Sequence, residues 1–381
     1  MEFYPVVYQH ASWLSVNPIQ GCPKQCQYCF LQSINKIGVK PEVLASIDET
    51  IELILTSPFY SETVPLCFLS ETDAFSTIDN IKYVRNLLLE CNNNQIDNPK
   101  IFITKCHIPD EIIDLFCELI KKGKKIVVYL SYSGLDNTIE RGVIHKHIRE
   151  NFKRLHTKGV PIVHYWRPFV PQNSSYEKLN EVIDFVKNYA KVSVVAGLKV
   201  EENYVGKLTF WPELIELKRS ITDSEGVWPE HVIPFFNDTA QVNQNYPIFQ
   251  SNSCALSYVL SQPDYNAFFE SEICKNFNKC PIYQRNRCEQ FYLNKEVTEE
   301  EIVSAFEKIN LEYDAKNVRL LDSRTLQIDN TELTVAKQSF LTQYLKIRVN
   351  AKKDPKDIYW NTSVSGARPL LVSSDKEKHI K

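Results

Sequence analysis

Short apolar runs and amphipathic segments alternate along the first 200 residues of the chain. The apolar runs predict six strands, at Trp13–Val16, Pro65–Leu69, Lys100–Thr104, Lys125–Leu130, Pro161–Tyr165 and Lys191–Ala196. Between them, a 3.6-residue hydrophobic period predicts helices at about Pro41–Leu55, Thr77–Cys91, Asp110–Lys121, His145–Lys158 and Tyr176–Tyr189. Short strands that are apolar on both faces, alternating with amphipathic helices, are typical of βα units around a parallel sheet.

Polar residues directly follow four of these strands. They are Ser70 to Asp73, Lys105, Ser131 to Ser133, and the pair Arg167-Pro168. In α/β folds the chemistry is carried by the carboxyl ends of parallel strands, so these residues are candidate site residues. The alternative is that they are polar only because the chain leaves the core there.

Composition narrows the class of protein. The chain has 381 residues, of which 43% are hydrophobic and 24% charged, with a net charge of −3. These values exclude a disordered chain, a fibre or a coiled coil, and they do not indicate a globally basic nucleic-acid-binding protein. The N-terminal residues lack a signal-peptide pattern and no apolar run is long enough to span a membrane, so we expect a cytoplasmic protein.

Eleven cysteines stand beside a single methionine. In a reducing compartment they do not indicate a disulfide framework. Four are isolated in or beside predicted elements, which is typical of small core residues: Cys67, Cys91, Cys106 and Cys117. The other seven form two clusters, and clustered thiols are typical of metal sites.

The first cluster is a C-x3-C-x2-C motif formed by Cys22, Cys26 and Cys29. Three thiolates this close can hold an iron–sulfur cluster and leave one iron open to an exogenous ligand. A zinc site is the alternative, but it would usually need a fourth protein ligand nearby. The nearest histidine, His10, precedes the first predicted strand.

With Asn17-Pro18 and Gly21 before this motif and Tyr28 before its last cysteine, the chain resembles the radical S-adenosylmethionine (SAM) superfamily. The resemblance implies an open (β/α)6 partial barrel, a [4Fe–4S] cluster on the three cysteines, and S-adenosylmethionine chelated to the fourth iron. It also implies reductive cleavage of that cofactor to methionine and a 5′-deoxyadenosyl radical, which abstracts hydrogen from a substrate.

The resemblance further implies which residues contact the cofactor. Glu71 and Thr72 occupy the place of a Gly-Gly-Glu segment that binds the amino group, although the glycines are missing here. Arg149 resembles the arginine that reaches the carboxylate, a solvated helix face being the alternative, and Tyr28 would lie near the adenine. Lys105 and Ser131, at strand ends, complete the candidate cofactor-binding set.

Within the superfamily the chain is most similar to the spore photoproduct lyase-like group, over roughly residues 10–200. The segments that carry this similarity include Thr72-Asp73, Ile103-Thr104-Lys105 and Gly159-Val160-Pro161, followed by Arg167 to Pro171. It makes a nucleic acid or nucleotide the expected substrate. The electron donor expected for such an enzyme is a flavodoxin or ferredoxin.

The second cluster has the spacing C-x19-C-x5-C-x7-C and comprises Cys254, Cys274, Cys280 and Cys288. Four thiolates suit a closed metal site. An auxiliary [4Fe–4S] cluster is favoured because the surrounding segment resembles an extension of photolyase-like radical SAM proteins. Structural zinc and unliganded cysteines are the alternatives. Spore photoproduct lyase itself lacks an auxiliary cluster.

We expect a partial barrel at 1–235, a Cys-rich extension at 236–295 and a small α+β region at 296–381. In the last region, a capping-box pattern at Thr298 opens a helix to about Ile309. The β-prone pieces Val318–Leu321, Thr325–Ile328 and Leu333–Val335 follow it.

Six basic residues face one acid between Lys337 and Lys356, with aromatic residues interleaved. The basic residues are Lys337, Lys346, Arg348, Lys352, Lys353 and Lys356, and the aromatic ones are Phe340, Tyr344, Tyr359 and Trp360. This pattern is typical of a single-stranded nucleic-acid surface, or of a solvated face above core aromatics.

The sequence therefore predicts a radical SAM enzyme with two clusters that acts on a nucleic acid or nucleotide and has no membrane association. Two alternatives stay open: the same chemistry on a peptide or small metabolite, and a zinc-bearing nucleic-acid-binding protein without catalysis.

Overall fold

The central element of the fold is an eight-stranded sheet. The structure is a computed structural model that describes residues 3–200, 205–216, 226–242, 246–270, 274, 280–329, 332–351 and 370–372. Its strands follow one another across the sheet in chain order: Val7–Gln9, Leu14–Val16, Leu66–Phe68, Lys100–Thr104, Ile126–Ser131, Ile162–Trp166, Val192–Val195 and Ile248–Phe249. The first pair is antiparallel and every later pair is parallel.

All six predicted strands are present in this sheet, with ends shifted by one residue at most. The first and last strands do not pair with each other in the described part of the chain, so the sheet is open there. Val7–Gln9 and Ile248–Phe249 are additional strands. Runs of two or three residues are too short to give a recognisable hydrophobic pattern.

Five helices connect the parallel strands of this sheet: Ile47–Thr56, Ile78–Asn93, Asp110–Lys121, His145–Thr157 and Tyr176–Val186. The prediction that the first of them begins at Pro41 was wrong. Glu42–Val43 instead pairs with Ile19–Gln20, and the helix starts after Ser46. There the Ser46 hydroxyl accepts from the Glu49 amide while the Glu49 carboxylate accepts from the Ser46 amide, which forms a capping box.

The two faces of the parallel sheet have different partners. Leu66, Phe68 and their equivalents pack under the connecting helices. On the other face, alternate residues such as Cys67, Val127 and Val194 pack against one helix, Asn252–Val259. Because side chains along a strand alternate between faces, each strand contributes to both layers.

Other described elements surround the sheet. The additional helices are Glu213–Glu216, Val232–Val242 and Ile282–Leu293, and two short 3-10 helices lie at Phe30–Ile34 and Val205–Lys207. There are also two small strand pairs: Gln25–Cys26 pairs with Glu140–Arg141, and Val227–Pro229 pairs with Leu370–Val372. The helix Val232–Val242 crosses the expected boundary at residue 235, and the strand Ile248–Phe249 belongs to the main sheet.

The C-terminal region has a core of its own. Its helix Glu299–Lys308 begins with the predicted capping box at Thr298. Val318–Asp322, Thr325–Ile328 and Arg348–Ala351 form its sheet. The prediction of a strand at Leu333–Val335 was wrong, because the Thr334 side chain caps the helix Val335–Leu345 instead.

One glutamine of that helix connects the C-terminal region to the N-terminal segment. Gln343 Oε1 accepts from Gln9 Nε2 at 3.0 Å, and Gln343 Nε2 donates to the Ala11 carbonyl at 2.9 Å and to Asn266 Oδ1 at 3.0 Å. Since these groups are buried, their hydrogen bonds fix the position of residues 9–11.

Among the described helices, none is both long and apolar enough to cross a bilayer. Five residues of the predicted basic and aromatic segment lie outside the described residues: Lys352, Lys353, Lys356, Tyr359 and Trp360.

Candidate functional site

A cavity of about 680 Å³ lies at the carboxyl ends of the parallel strands. The residues after five of those strands line it, and they include Glu71, Thr72, Lys105, Ser131 and Arg167. The fold therefore brings together four of the six residues predicted to bind a cofactor, and Tyr28 lines the same cavity.

The three cysteines of the first motif also line this cavity. Their loop is held by backbone hydrogen bonds, because Cys22 donates its amide to the Lys36 carbonyl at 2.8 Å and Cys29 donates to the Cys26 carbonyl at 3.1 Å. Cys26 itself lies in a short strand that pairs with Glu140–Arg141. The motif is thus held by hydrogen bonds to two other segments, the one that contains Lys36 and the strand Glu140–Arg141.

Gly21 connects this loop to the end of the second parallel strand. Its φ of +92° is in the left-handed region, and a Cβ there would lie 3.1 Å from the Val39 side chain. Its amide donates to the Glu71 carbonyl at 3.1 Å, and its carbonyl accepts from the Thr72 hydroxyl at 2.5 Å. The loop needs glycine here to approach the Glu71-Thr72 segment this closely.

Burial raises the pKa of Cys22, Cys26 and Cys29 to about 12 each, with the Asp73 and Glu140 carboxylates adding to the effect at the first two. At neutral pH such thiols stay protonated unless a cation stabilises the thiolate. In the described part of the chain, no three such side chains are gathered around one point as a single metal ion requires. A cluster requires less convergence, because each thiolate binds a different iron.

Glu71 presents a carboxylate to the cavity. Its Oε1 accepts from the Tyr8 hydroxyl at 2.5 Å, whereas its Oε2 is buried without a hydrogen-bond partner. Burial raises the pKa of Glu71, against the opposing effects of Tyr8 and Lys199. A buried carboxylate oxygen without a donor is costly, and a bound ligand with an N–H donor would satisfy it.

Asn17, which precedes the cysteine motif, makes hydrogen bonds to the turn that carries Glu71. Its Oδ1 accepts from the Glu71 amide and from the Ser70 hydroxyl, both at 3.1 Å. The turn that carries Glu71 is therefore fixed by the segment that leads into the cysteine loop.

Asp73 links two strand ends below the cavity. Its carboxylate accepts from the Thr104 hydroxyl at 2.7 Å and from the Lys105 amide at 2.8 Å. These contacts fix the direction in which the Lys105 side chain leaves its strand.

Glu140 is a site residue that the sequence did not reveal. Its fully buried carboxylate accepts from Lys105 Nζ at 2.7 Å, from the Ser133 hydroxyl at 2.8 Å and from the Tyr28 hydroxyl. Burial, followed by the charge on Glu140, raises the pKa of Tyr28 well above its ordinary value, so that its hydroxyl remains a donor. Two predicted cofactor-binding residues are thus held by one carboxylate behind the cavity wall.

Basic and aromatic groups form the opposite part of the wall. His10 stacks on Trp13 with ring centroids 5.4 Å apart, and Arg167 Nη1 donates to the Tyr165 hydroxyl at 2.8 Å. His10 is exposed, and it is one of the residues that line the cavity. Desolvation lowers the pKa of His10 to about 4, with smaller contributions from Lys199 and Arg167.

Arg149 is not among the residues that line the cavity. Its guanidinium lies 3.9 Å from the centroid of the Phe185 ring, and it donates to the Tyr132 hydroxyl at 3.0 Å. The helix His145–Thr157 turns Ile148 and Phe152 toward the sheet, which directs Arg149 to the neighbouring helix. The structure thus places Arg149 outside the cavity, whereas the cations Arg167 and Lys199 line it.

The four cysteines of the second motif line a separate small pocket, Cys254, Cys274, Cys280 and Cys288. Burial raises the pKa of Cys280 to about 12 and that of Cys288 to about 11. Cys288 accepts from the Asp264 amide at 3.4 Å. Phe268 lines both this pocket and the large cavity, so one side chain separates the two sites.

No protein-family model matches the chain, and no curated protein matches it. Solved structures of radical SAM enzymes resemble it. SuiB from Streptococcus suis bound to S-adenosylmethionine has 16% identity and a TM-score of 0.44. The match covers 64% of this chain and 51% of the SuiB chain. The chain thus spans about half the length of SuiB.

Spore photoproduct lyase complexed with dinucleoside spore photoproduct has 13% identity and a TM-score of 0.43, with coverage of 62% and 75% of the two chains. The structure of anSMEcpe with bound AdoMet has 14% identity and a TM-score of 0.42, with coverage of 65% of this chain and 66% of that one. At this level of similarity, the chain's own residues carry the functional proposal.

Proposed function

We propose that this protein is a radical SAM enzyme. The observation that carries the proposal is one cavity, at the carboxyl ends of a parallel sheet, that is lined by three thiols, by Glu71 with its unpartnered Oε2, and by Tyr28. Thiols fit an iron–sulfur cluster, and a carboxylate oxygen without a donor fits the ammonium of a zwitterionic amino-acid moiety.

Cys22, Cys26 and Cys29 would hold a [4Fe–4S] cluster, with S-adenosylmethionine beside it. When bound, the reduced cluster supplies the electron that cleaves S-adenosylmethionine to methionine and the 5′-deoxyadenosyl radical. Glu71 accepts from the cofactor ammonium in this proposal. Tyr28, held by Glu140, forms the wall next to the adenine, while Lys105, Ser131 and Thr72 complete the polar lining.

The protein's own contribution is preorganisation. Tyr8 and Asn17 hold the Glu71 carboxylate and its turn before any ligand arrives, and Gly21 brings the cysteine loop against that turn. Because these contacts are made within the protein itself, they position the proposed cofactor-binding groups.

A second [4Fe–4S] cluster on Cys254, Cys274, Cys280 and Cys288 is part of the proposal. Support comes from the one small pocket that all four thiols line. Phe268 would place this centre next to the main cavity.

We further propose a nucleic acid or nucleotide as substrate, a flavodoxin or ferredoxin as electron donor and a cytoplasmic location. We also propose that the chain is divided at residues 235 and 295 into a partial barrel, a Cys-rich extension and a C-terminal region.

Anaerobic reconstitution with iron and sulfide tests the function. We expect about eight irons per chain, and formation of 5′-deoxyadenosine from S-adenosylmethionine after reduction with dithionite. Zinc without iron would overturn the proposal in favour of a non-catalytic metal-binding protein. If cleavage occurs but is stimulated by peptides rather than nucleotides, the substrate assignment is wrong and the chemistry stands.

A further inference from the structure

One helix begins at the wall of the large cavity. The helix Asn252–Val259 packs its apolar residues, Ala255 and Leu256 among them, against one face of the main sheet. Its first residue, Asn252, and its N-cap residue, Ser251, instead line the cavity. The polar start of this helix is therefore part of the cavity wall, and the proposed cluster and cofactor contacts do not use it.

The side chain of Asn252 lacks hydrogen-bond partners. Asn252 is 5% exposed, and its Oδ1 is buried without a donor. The hydrogen bond that holds this residue uses its backbone, since the Asn252 carbonyl accepts from the Tyr129 hydroxyl at 3.3 Å. Within the part of the chain that the structure describes, the Nδ2 group has no acceptor either. A buried acceptor without a donor is costly, so this side chain calls for a ligand in the cavity.

Tyr129 determines where this side-chain amide lies. The Tyr129 ring packs edge-on against Trp13 at a centroid distance of 5.9 Å and against Tyr165 at 5.7 Å. Ser131, one of the candidate cofactor-binding residues, follows two residues later in the same strand and on the same face, about 7 Å further along. Asn252 is therefore bonded to the strand that carries Ser131, near the place proposed for the cofactor.

The chemistry of the side chain indicates what it binds. A carboxamide with a free donor and a free acceptor pairs best with a group that offers an acceptor and a donor on one edge. The lactam edge of a nucleobase does so, because its N–H and C=O are adjacent and point the same way. A trans peptide bond does not, since its N–H and C=O point to opposite sides. Asn252 therefore favours a nucleobase over a polypeptide backbone.

We propose that Asn252 binds the lactam edge of a nucleobase of the substrate. Trp13 and Tyr165, which pack on Tyr129, also line the cavity, so a flat ring bound at Asn252 would have aromatic neighbours. This inference deepens the proposed function, on which it rests for the base belonging to a substrate. The binding itself does not depend on the reaction.

Calorimetric titration of the reconstituted full chain, with S-adenosylmethionine present, tests the assignment. The probes are uridine and inosine, their methylated forms 3-methyluridine and 1-methylinosine, and the peptide N-acetylglutamine methylamide. Methylation removes the lactam N–H and leaves the carbonyl, so Asn252 Oδ1 would stay buried and unpaired. We expect it to weaken binding by about tenfold or more. The peptide probe, which carries trans peptide bonds and a side-chain amide, should bind more weakly than uridine.

Asn252→Ala should weaken uridine binding by about tenfold and remove the difference between uridine and 3-methyluridine. Asn252→Asp keeps an acceptor for the lactam N–H but loses the donor, so it should bind uridine more weakly than the native chain while still disfavouring the methylated form. Asn286→Ala is the matched control, because Asn286 is exposed on the helix Ile282–Leu293, which contains Cys288 of the second motif. Its affinities should equal those of the native chain.

Equal binding of uridine and 3-methyluridine by the native chain overturns the proposal, and so does an unchanged difference between them in Asn252→Ala. Binding of the peptide as tightly as uridine overturns it as well. Iron content and urea unfolding of each variant show whether the second motif, which includes Cys254, and the fold are intact. Should Asn252→Ala fail to fold, Asn252→Asp decides, because an unchanged affinity for uridine in that variant also overturns the proposal.

Cleavage of S-adenosylmethionine is measured on the same samples without a nucleoside. If cleavage is absent while methylation weakens binding in an Asn252-dependent way, the assignment of Asn252 stands and the proposed function fails. If cleavage is present and no nucleoside binds, the proposed function stands and the assignment of Asn252 is overturned.

Discussion

The Lys105 ammonium lies 2.7 Å from the Glu140 carboxylate, and both side chains are almost or fully inaccessible to solvent, at 13% and 0% exposure. The pair joins the end of one parallel strand to the strand that pairs with Cys26. It therefore connects the cysteine loop to the main sheet through charge as well as through backbone hydrogen bonds.

Replacing Glu140 with glutamine should lower the free energy of unfolding by about 3 kcal/mol, because it leaves a buried lysine without its counter-charge. Urea unfolding of the metal-free chain measures this. Glu118→Gln is the control, since Glu118 lies at the same 2.7 Å from Lys122 but on the exposed surface. Its unfolding midpoint should not change, and equal effects of the two variants would contradict a stabilising role for burial of the pair.

Glu71→Gln should raise the KM for S-adenosylmethionine about tenfold, because the unpartnered Oε2 would lose its charge-assisted interaction with the cofactor ammonium. Tyr8→Phe should raise it less, since Tyr8 only positions the carboxylate. Formation of 5′-deoxyadenosine at varied cofactor concentration gives both values. Tyr60→Phe, which removes a hydroxyl bonded to Asn98 at 3.1 Å, is the matched control. An unchanged KM in Glu71→Gln would remove Glu71 from the cofactor site.

Replacing Cys22, Cys26 and Cys29 together with alanine should abolish cleavage of S-adenosylmethionine and remove about four irons per chain. Cys280→Ala should instead leave the spectrum of the first cluster in place, because its pocket is separate from the cavity of the first motif. Cys117→Ala is the control for thiol loss. Cleavage retained in the triple variant would refute the assignment of the cluster.

His164 makes the stability of the fold depend on pH. Its ring is fully buried, donates from Nε2 to the Tyr132 carbonyl and accepts at Nδ1 from Ser193, both at 2.8 Å. Burial lowers its pKa from 6.5 to about 3, so the unfolded chain binds a proton that the folded chain does not. The stability from the neutral ring is full above pH 6.5 and falls as the pH drops toward 3.

The expected contribution of His164 to this slope is about 1.4 kcal/mol per pH unit. His164→Gln should therefore be less stable at pH 7 and show a shallower loss between about pH 6 and about pH 4. Unfolding by urea at several pH values measures the difference between the two chains. Parallel curves would show that His164 is not responsible for the slope.

Much of the fold could be predicted from local pattern. The prediction of six parallel strands is confirmed, because apolar runs of four to six residues between amphipathic segments leave few alternatives to a strand. The helix that begins after Thr298 was predicted correctly from its capping-box pattern. The helix assigned from Pro41 failed because Ser46 caps it later, and the strand at Leu333–Val335 failed because Thr334 caps a helix. In both places a side-chain cap, which the hydrophobic pattern does not include, sets the start of the helix.

The site was predicted in part. Thiols in close sequence spacing and residues at strand ends can be recognised because the sequence itself brings them together. Glu140 and His10 could not be recognised, since they reach the site through pairing with Cys26 and through packing on Trp13. That Arg149 lies outside the cavity could not be predicted either, because its position depends on packing against Phe185, which belongs to another helix.

Residues 9–11 gain their position from Gln343, more than 300 residues further along the chain, through bonds to Gln9 and Ala11. Tyr265 adds a bond from its hydroxyl to the Ser12 carbonyl at 2.8 Å. The wall that carries His10 is consequently assembled from three distant stretches of polypeptide. The ligand that the cavity selects therefore depends on the whole chain. A fragment that contains only the main parallel sheet and its connecting helices would keep Cys22, Cys26 and Cys29 but would lose the shape of the pocket.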